Sequence, residues 1–156
     1  MNTLAVFPGT FDPITLGHMD IITRASKIFD HVIIAVANSP SKQTLFDLDT
    51  RVSLMQKSVK NLSNIKVEGF SGMLISFLKE KQANILIRGV RSVADFDYEN
   101  QLAGMYRLAA PEIEIVMLPS NSQISYISST LVREVIIHKG DVTPFVPKEI
   151  CDLVKK

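Results

Sequence analysis

Short apolar runs alternate along this chain with longer segments in which apolar residues recur every three or four positions. The runs have the length of buried strands and cover residues 4–7, 32–37, 65–67, 83–87 and 113–118. The periodic segments predict helices at about residues 18–29, 73–78 and 95–109, then one that begins near Ser128 and ends at Gly140, and a short one from about Pro147. A further helix, which Asp47 or Asp49 can cap, carries Val52, Met55, Val59 and Leu62 at helical spacing. This alternation predicts a three-layer α/β fold, in which a five-stranded parallel sheet carries helices on both faces.

The composition narrows the classes of function. The 156 residues are 46% hydrophobic and 21% charged, which is typical of a globular protein, and we expect one domain over residues 1–156. A net charge of +1 gives no support for nucleic-acid binding. The single cysteine, Cys151, cannot form an intramolecular disulfide. Without a secretory leader or an apolar stretch of about 20 residues, we expect a cytoplasmic protein with neither a membrane nor a nucleic acid as partner.

A polar turn joins the first predicted strand to the first helix. It reads PGTFDPITLGH at residues 8–18, which we call the first turn segment. The backbone N–H groups at a helix start, together with the helix dipole, form a site for an anion. Gly17 lets an anion approach the backbone, and His18 adds a donor whose charge can change near neutral pH. Taken alone, a histidine at a helix start is structural more often than functional.

A second polar turn, ISSTLVR at residues 127–133, also opens a helix and is called the second turn segment. Its hydroxyl residues are good N-caps. The simplest interpretation is therefore a capped helix that carries Leu131, Val132, Val135 and Ile136 on its buried face.

Three cations follow predicted strands. Lys42 lies in the loop after the second strand, and Arg88 and Arg91 follow the fourth. Open α/β sheets bind ligands at the carboxyl ends of their strands, and guanidinium groups bind phosphate oxygens in pairs. Taken alone, a lysine in a loop is usually just solvated. Asp95 and Asp97 begin the next helix, where acidic residues interact favourably with the helix dipole.

The candidate residues follow strands, so the sheet would bring them together at one edge, where they would form a phosphate site. They are Thr10, His18, Lys42, Arg88, Arg91 and residues 128–130. The sequence shows no obvious pair of nucleophile and base and no carboxylate cluster that would hold a metal. Neither a G-x-G-x-x-G fingerprint nor a G-x-x-x-x-G-K-[ST] loop occurs. Catalysis by positioning is indicated, since a phosphate monoester is already an anionic nucleophile and needs no base.

Taken together, the T-x-G-H and I-S-S-T-x-x-R patterns of the two turn segments resemble the signature pair of the nucleotidyltransferase superfamily related to class I aminoacyl-tRNA synthetases. The first turn segment, SPSK at 39–42, IRGVR at 87–91 and DFDYE at 95–99 resemble the bacterial phosphopantetheine adenylyltransferases over nearly the whole chain. This resemblance implies a Rossmann-like dinucleotide-binding fold of the nucleotidyltransferase type. It also implies transfer of the adenylyl group of ATP to 4'-phosphopantetheine in coenzyme A biosynthesis, Mg²⁺ carried with the ATP, and a homohexamer.

The resemblance assigns roles to residues as well. The implied catalytic residues are Thr10, His18, Lys42 and Arg91, with His18 donating to the α-phosphate. The implied ATP site comprises Thr10, Phe11, His18, Gly89, Val90, Arg91, Glu99, Ile124, Ser125, Tyr126, Ile127, Ser128, Ser129 and Thr130. The implied phosphopantetheine site comprises Thr10, Lys42, Leu74, Arg88 and Tyr106, and no residue is implied as a metal ligand. Tyr106 and Ile124 stand where members often carry asparagine and an aromatic residue.

Two other functions are compatible with the same residues. One is a related enzyme that adenylylates nicotinamide mononucleotide or transfers a cytidylyl group to an alcohol phosphate; the IRGVR and DFDYE stretches favour phosphopantetheine instead. The other is a nucleotide sensor without catalysis. His18 and Lys42 argue against a sensor, because a sensor has no use for groups that stabilise a transition state.

Overall fold

The computed structural model describes residues 2–38, 40–41 and 43–155. Its strands are β1 (Leu4–Gly9), β2 (His31–Asn38), β3 (Ile65–Ser71), β4 (Ile85–Val90) and β5 (Glu114–Pro119). Its helices are α1 (Leu16–Ile28), α2 (Leu48–Ser58), α3 (Leu74–Glu80), α4 (Val93–Ala109), α5 (Ser129–Ile137) and α6 (Lys148–Val154). Within the described ranges, no helix is both long and apolar enough to cross a bilayer.

The five strands form one parallel sheet in the order β3-β2-β1-β4-β5, which confirms the predicted fold class. From β1 the chain runs outward through β2 to β3, and it then returns to the other side of β1 to form β4. Loops that leave the carboxyl ends of β1 and β4 therefore diverge. A crevice at such a switch point is where open α/β sheets bind their ligands.

Helices cover both faces of the sheet. Ala5 and Phe7 of β1 belong to a core cluster with residues of α1, α2, α5 and α6, whereas Val6 belongs to a second cluster with residues of α3. Tyr106 of α4 packs against this second cluster. Successive strand residues point to opposite faces, so a strand buried on both sides must be apolar throughout. The continuous apolar runs of the sequence have this origin.

Strands β1 and β4 extend further toward their carboxyl ends than the apolar runs predict. Arg88 and Gly89 were expected in a loop, but they lie within β4, because its pairing with β5 continues until Val90 lies opposite Pro119. The reach of a strand depends on hydrogen bonding to its neighbours, which hydrophobicity does not report. As a result, the backbone of β4 itself carries Arg88 to the edge of the crevice.

The helix ends are largely set by caps. Asp47 and Ser128 accept hydrogen bonds from the first turns of α2 and α5, as their residue types predict. Helix α5 ends at Ile137 rather than at Gly140. The prediction that Leu131 is buried is wrong: its side chain is 60% exposed, whereas Val132 is buried. Adjacent helical residues point about 100° apart, so the turn that directs Val132 into the core leaves Leu131 outside.

Candidate active site

A cavity of about 520 Å³ opens at the switch point between β1 and β4. Its walls come from the ends of these strands, the first turns of α1 and α5, and the near ends of α3 and α4. Twelve of the residues assigned to the site from the sequence line it: Thr10, Phe11, His18, Leu74, Arg88, Gly89, Arg91, Glu99, Ile127, Ser128, Ser129 and Thr130. The structure thus brings together residues that lie more than a hundred positions apart.

His18 is held by a reciprocal cap at the start of α1. The Thr15 hydroxyl accepts from the His18 backbone N–H at 3.4 Å, and the Thr15 backbone N–H donates to His18 Nδ1 at 3.0 Å. A backbone N–H can only donate, so Nδ1 must be the acceptor. The proton of the neutral ring is therefore on Nε2, which leaves an N–H donor for a ligand in the cavity.

The environment keeps His18 uncharged. Burial, together with the nearby positive charge of Arg91, lowers the pKa of His18 from 6.5 to about 4. The prediction that its charge changes near neutral pH is therefore wrong for the unliganded chain. Protonation of Nδ1 would also break the hydrogen bond that Nδ1 accepts from the Thr15 backbone N–H. At neutral pH His18 offers a phosphate a neutral hydrogen-bond donor.

Phe11 explains why glycine occupies position 9. A Cβ placed on Gly9 would lie 2.8 to 3.0 Å from ring atoms of Phe11, so no other residue fits without movement. Phe11 has a positive φ of 47°, an unfavourable conformation for a bulky residue. Its ring packs edge-on against Phe7 and His18, with centroid distances of 5.5 and 4.9 Å. The imidazole is therefore held by this ring contact as well as by its cap.

Fewer backbone N–H groups than predicted remain for an anion at the start of α1. The Leu16 N–H donates to the Phe145 carbonyl at 2.9 Å, and the His18 N–H is taken by Thr15. Among the described residues, no acceptor contacts the N–H of Gly17. A Cβ on Gly17 would lie within 4 Å of the carbonyls of Ile124 and Ile127. These are ordinary van der Waals distances, so the local space does not by itself require glycine at position 17.

Direct hydrogen bonds join the two turn segments. The Ser129 hydroxyl donates to the Pro13 carbonyl at 2.8 Å, and Arg133 Nη1 donates to the Asp12 carbonyl at 2.7 Å. Arg133 Nη2 also donates to the Thr130 hydroxyl at 3.1 Å. Both hydroxyls are thus engaged within the protein. In the described part of the chain, the backbone N–H groups of Ser129 and Thr130 contact no acceptor and remain for an anion at the start of α5.

Both arginines of the IRGVR stretch are paired with carboxylates of α4. Arg88 binds Glu99 through two hydrogen bonds of 2.6 and 2.5 Å, and Glu99 is buried. Arg91 donates to one oxygen of Asp95 from its backbone N–H at 3.0 Å and from Nε at 3.2 Å. A phosphate ligand that binds Arg91 therefore competes with Asp95.

Other assigned residues lie elsewhere. Tyr106 packs against the second core cluster, Ile124 packs against the first, and neither lines the cavity. Tyr126 is exposed, and Ser125 Oγ donates to the Ser122 carbonyl. Val90 ends β4. Lys42 lies outside the described residues, so its assignment stays a prediction.

Asp12 and Arg51 were not singled out from the sequence, although the structure places both beneath the cavity. Both are buried, and both contact backbone atoms of the loops that form the cavity wall. A signal was present: Arg51 precedes Met55 by one helical turn and so occupies a position on the apolar face of α2. An arginine there is seldom buried without a specific partner.

Comparisons with solved structures agree with this architecture. The chain is similar to a protein from Vibrio parahaemolyticus named provisionally as a nicotinate-nucleotide adenylyltransferase, with 21% identity, a TM-score of 0.75 and full coverage of both chains. It is also similar to the lipopolysaccharide core biosynthesis protein from Thermoplasma volcanium, with 20% identity, a TM-score of 0.58, and 76% of this chain matched to 98% of that one. At such identities the likeness establishes the fold.

The family follows from the sequence match. The cytidylyltransferase-like family model matches residues 6–135, a span that includes both turn segments, most of β1 and the other four strands. This span is most of the chain, and it contains the cavity at the switch point. The chain therefore belongs to the cytidylyltransferase-like family of the nucleotidyltransferase superfamily.

Proposed function

We propose that this chain transfers the adenylyl group of ATP to 4'-phosphopantetheine, giving dephospho-coenzyme A and pyrophosphate. The observation that carries the proposal is the junction of the two turn segments at the switch point. There His18, Gly17, Ser129 and Thr130 line one cavity, with the Nε2–H of His18 and three backbone N–H groups that no acceptor among the described residues contacts. Such an array binds the phosphates of a nucleotide.

The two substrates divide the cavity. We place the ATP phosphates at the start of α5 and at Gly89 and Arg91, since N–H groups and a guanidinium suit a polyphosphate. We place the acceptor on the side of Thr10, Lys42 and Leu74. Phe70 lies beside Leu74 in the cavity wall and supplies apolar surface for a pantetheine arm.

The reaction needs alignment and charge stabilisation. An oxygen of the phosphopantetheine phosphate attacks the α-phosphorus of ATP, the bond from that phosphorus to the bridging oxygen breaks, and pyrophosphate leaves with the bond's electron pair. No base is required, because the attacking phosphate is already anionic. Nε2–H of His18 donates to an α-phosphate oxygen whose charge increases in the transition state. Lys42 and Thr10 orient the attacking phosphate.

Mg²⁺ enters this proposal as part of the substrate, bound to the ATP phosphates. In the described ranges, no group of three or more His, Cys, Asp or Glu residues is arranged to hold a metal ion. The two carboxylates in the cavity wall, Asp95 and Glu99, are engaged with arginines. These observations fit a metal that keeps its phosphate and water ligands.

We also propose a homohexamer. Helix α4 exposes five large apolar side chains, Val93, Phe96, Tyr98, Met105 and Leu108. Apolar surface of this extent on one helix is typical of an interface between proteins. Sedimentation analysis of the purified protein tests this assembly, and a monomer would contradict it.

Release of pyrophosphate is the assay for the function. Each of ATP and CTP is combined with phosphopantetheine, with nicotinate or nicotinamide mononucleotide, and with an alcohol phosphate. We expect turnover with ATP and phosphopantetheine, and we expect His18→Ala to lower kcat by about 10²- to 10³-fold while ATP still binds.

Other results separate the alternatives. Turnover with a mononucleotide acceptor alone would favour the activity named for the Vibrio neighbour. Nucleotide binding without pyrophosphate from any pair would favour a sensor. A decrease in kcat of about tenfold or less in His18→Ala would contradict the proposal that His18 stabilises the transition state.

A further inference from the structure

Arg51 is a buried cation whose hydrogen bonds converge on the cavity wall. Its side chain is 2% exposed. Nη1 donates to the carbonyls of Thr10 at 2.7 Å and Ala37 at 2.8 Å, and Nε donates to the Phe46 carbonyl at 3.0 Å. One guanidinium thus joins three separate points of the chain: the turn after β1, the end of β2, and the loop that leads into α2.

Asp12 fixes the same loop from the other side. Its carboxylate accepts from the backbone N–H groups of Leu45 at 2.7 Å and Phe46 at 2.9 Å. Burial lowers the pKa of Arg51, and the charges of Asp12 and Asp47 oppose that shift, so the guanidinium stays charged. Together the two residues join the end of β2 at Ala37 and the last part of the β2–α2 loop, at Leu45 and Phe46, to the first turn segment. In the sequence this loop covers positions 39–47, and Lys42 is one of them.

The cost of this arrangement indicates its purpose. Burying a guanidinium is unfavourable unless it is fully hydrogen-bonded, and an apolar residue at position 51 would pack against Met55 without that cost. Of the residues that carry the three carbonyls, Thr10 and Phe46 lie in loops outside the strands, and Ala37 is the last residue but one of β2, beyond its pairing with β1. Two of the residues that carry them, Thr10 and Ala37, line the cavity.

We propose that Arg51, with Asp12, is a positioning residue of the transfer reaction: it holds Thr10 and the β2–α2 loop as one unit, so that the acceptor phosphate meets His18 in line. The inference rests on the proposed function for its substrates. The attachment of the loop by Arg51 and Asp12 does not depend on that function.

The test compares Arg51→Lys with Val59→Ala. Lysine keeps the charge but cannot reach three carbonyls from a planar fork. Val59 ends α2, is buried in the same core, and does not line the cavity, so Val59→Ala reports general destabilisation. At a temperature where both variants are folded, we expect Arg51→Lys to lower kcat by about 10- to 100-fold and to raise the KM for phosphopantetheine. We expect its calorimetric Kd for ATP to change by less than about twofold.

A double-mutant cycle with Lys42→Ala separates positioning from stability. If Arg51 acts through the loop, the double variant should be at least about fivefold more active than the product of the two single effects predicts. Full additivity, or turnover of Arg51→Lys equal to that of Val59→Ala, would overturn the proposal. Should Arg51→Lys fail to fold, Asp12→Asn tests the same loop, since an amide cannot accept from both N–H groups with the strength of a carboxylate.

A second readout is independent of activity. Trypsin cleavage after Lys42, followed by mass spectrometry, should be at least about fivefold faster in Arg51→Lys than in Val59→Ala, because the loop has lost its attachment. Equal cleavage rates would overturn the attachment itself. If the wild type releases no pyrophosphate with phosphopantetheine, the proposed function fails, and the cleavage experiment still decides the role of Arg51.

Discussion

Replacing His18 with glutamine should make the stability of the protein less dependent on pH. The folded chain holds His18 at a pKa of about 4, below its ordinary value of 6.5, because the ring is buried and Arg91 is close. The unfolded chain exposes the ring and restores the ordinary pKa. Between the two values the unfolded state binds more protons, so stability that is complete above pH 6.5 is lost as the pH falls toward 4.

The size of the effect follows from the two pKa values. A difference between 6.5 and about 4 corresponds to about 3 kcal/mol once the pH is below both values. At about pH 4.5 most of this loss, about 2 to 3 kcal/mol, is present. His18→Gln has no titrating ring. Its free energy of unfolding should therefore fall less than that of the wild type between about pH 7.5 and 4.5, by that amount.

Urea unfolding at the two pH values measures the difference, and the carboxylates common to both proteins cancel in it. His138→Gln is the matched control, because His138 directly follows α5 with an exposed side chain, and its replacement should leave the wild-type dependence in place. Equal pH dependence in His18→Gln and the wild type would refute the assignment of a buried neutral ring. An NMR titration of the wild type that assigns a pKa near 6.5 to the His18 ring would refute it directly.

Three further variants test the cavity wall. Gly9→Ala should destabilise the protein by about 1 to 3 kcal/mol in urea unfolding, because its Cβ meets the Phe11 ring. Its control is Gly104→Ala in α4, away from the cavity wall. The Cβ added there meets nothing within 4 Å, and this change should stabilise the protein by about 0.5 to 1 kcal/mol. Arg91→Lys should lower kcat/KM for ATP in the pyrophosphate assay despite the retained charge, and activity equal to wild type would exclude a paired contact with phosphate. Asp95→Asn should tighten ATP binding in calorimetry by up to about fivefold because it releases Arg91; weaker binding would contradict competition.

The sheet was predictable because its interior strands are buried on both faces. Val32, Ile33 and Ile34 must all be apolar when neighbouring strands and two helix layers surround them, and this gives the unbroken runs of the sequence. Strand ends were less predictable. Arg88 lies in β4 because of its pairing with Met117, a long-range contact that leaves no local pattern.

The sequence predicted that helix starts contribute to the candidate site. It did not predict the features that depend on burial, which are the charge state of His18 and the contacts of Arg51. Ser128 indicated the start of α5 by its residue type, whereas α1 begins at Leu16, two residues before the predicted start at His18. The charge state of His18 was predicted wrongly, because it depends on burial and on Arg91, which is 73 positions away in the sequence. The role of Arg51 depends on carbonyls from three segments, and carbonyls have no side-chain signature.

The two arginines beside the cavity are held with unequal strength, and this asymmetry orders the events of binding. Arg88 makes a bidentate pair with a buried carboxylate, so separating it would leave Glu99 without its partner in a poorly solvated place. Arg91 makes a single side-chain contact with Asp95, and both side chains are about a third exposed or more. An exposed pair of this kind contributes at most about 1 kcal/mol, which one charge-assisted bond to phosphate exceeds. Phosphate binding should therefore exchange the partner of Arg91 first, while Arg88 and Glu99 remain a fixed wall.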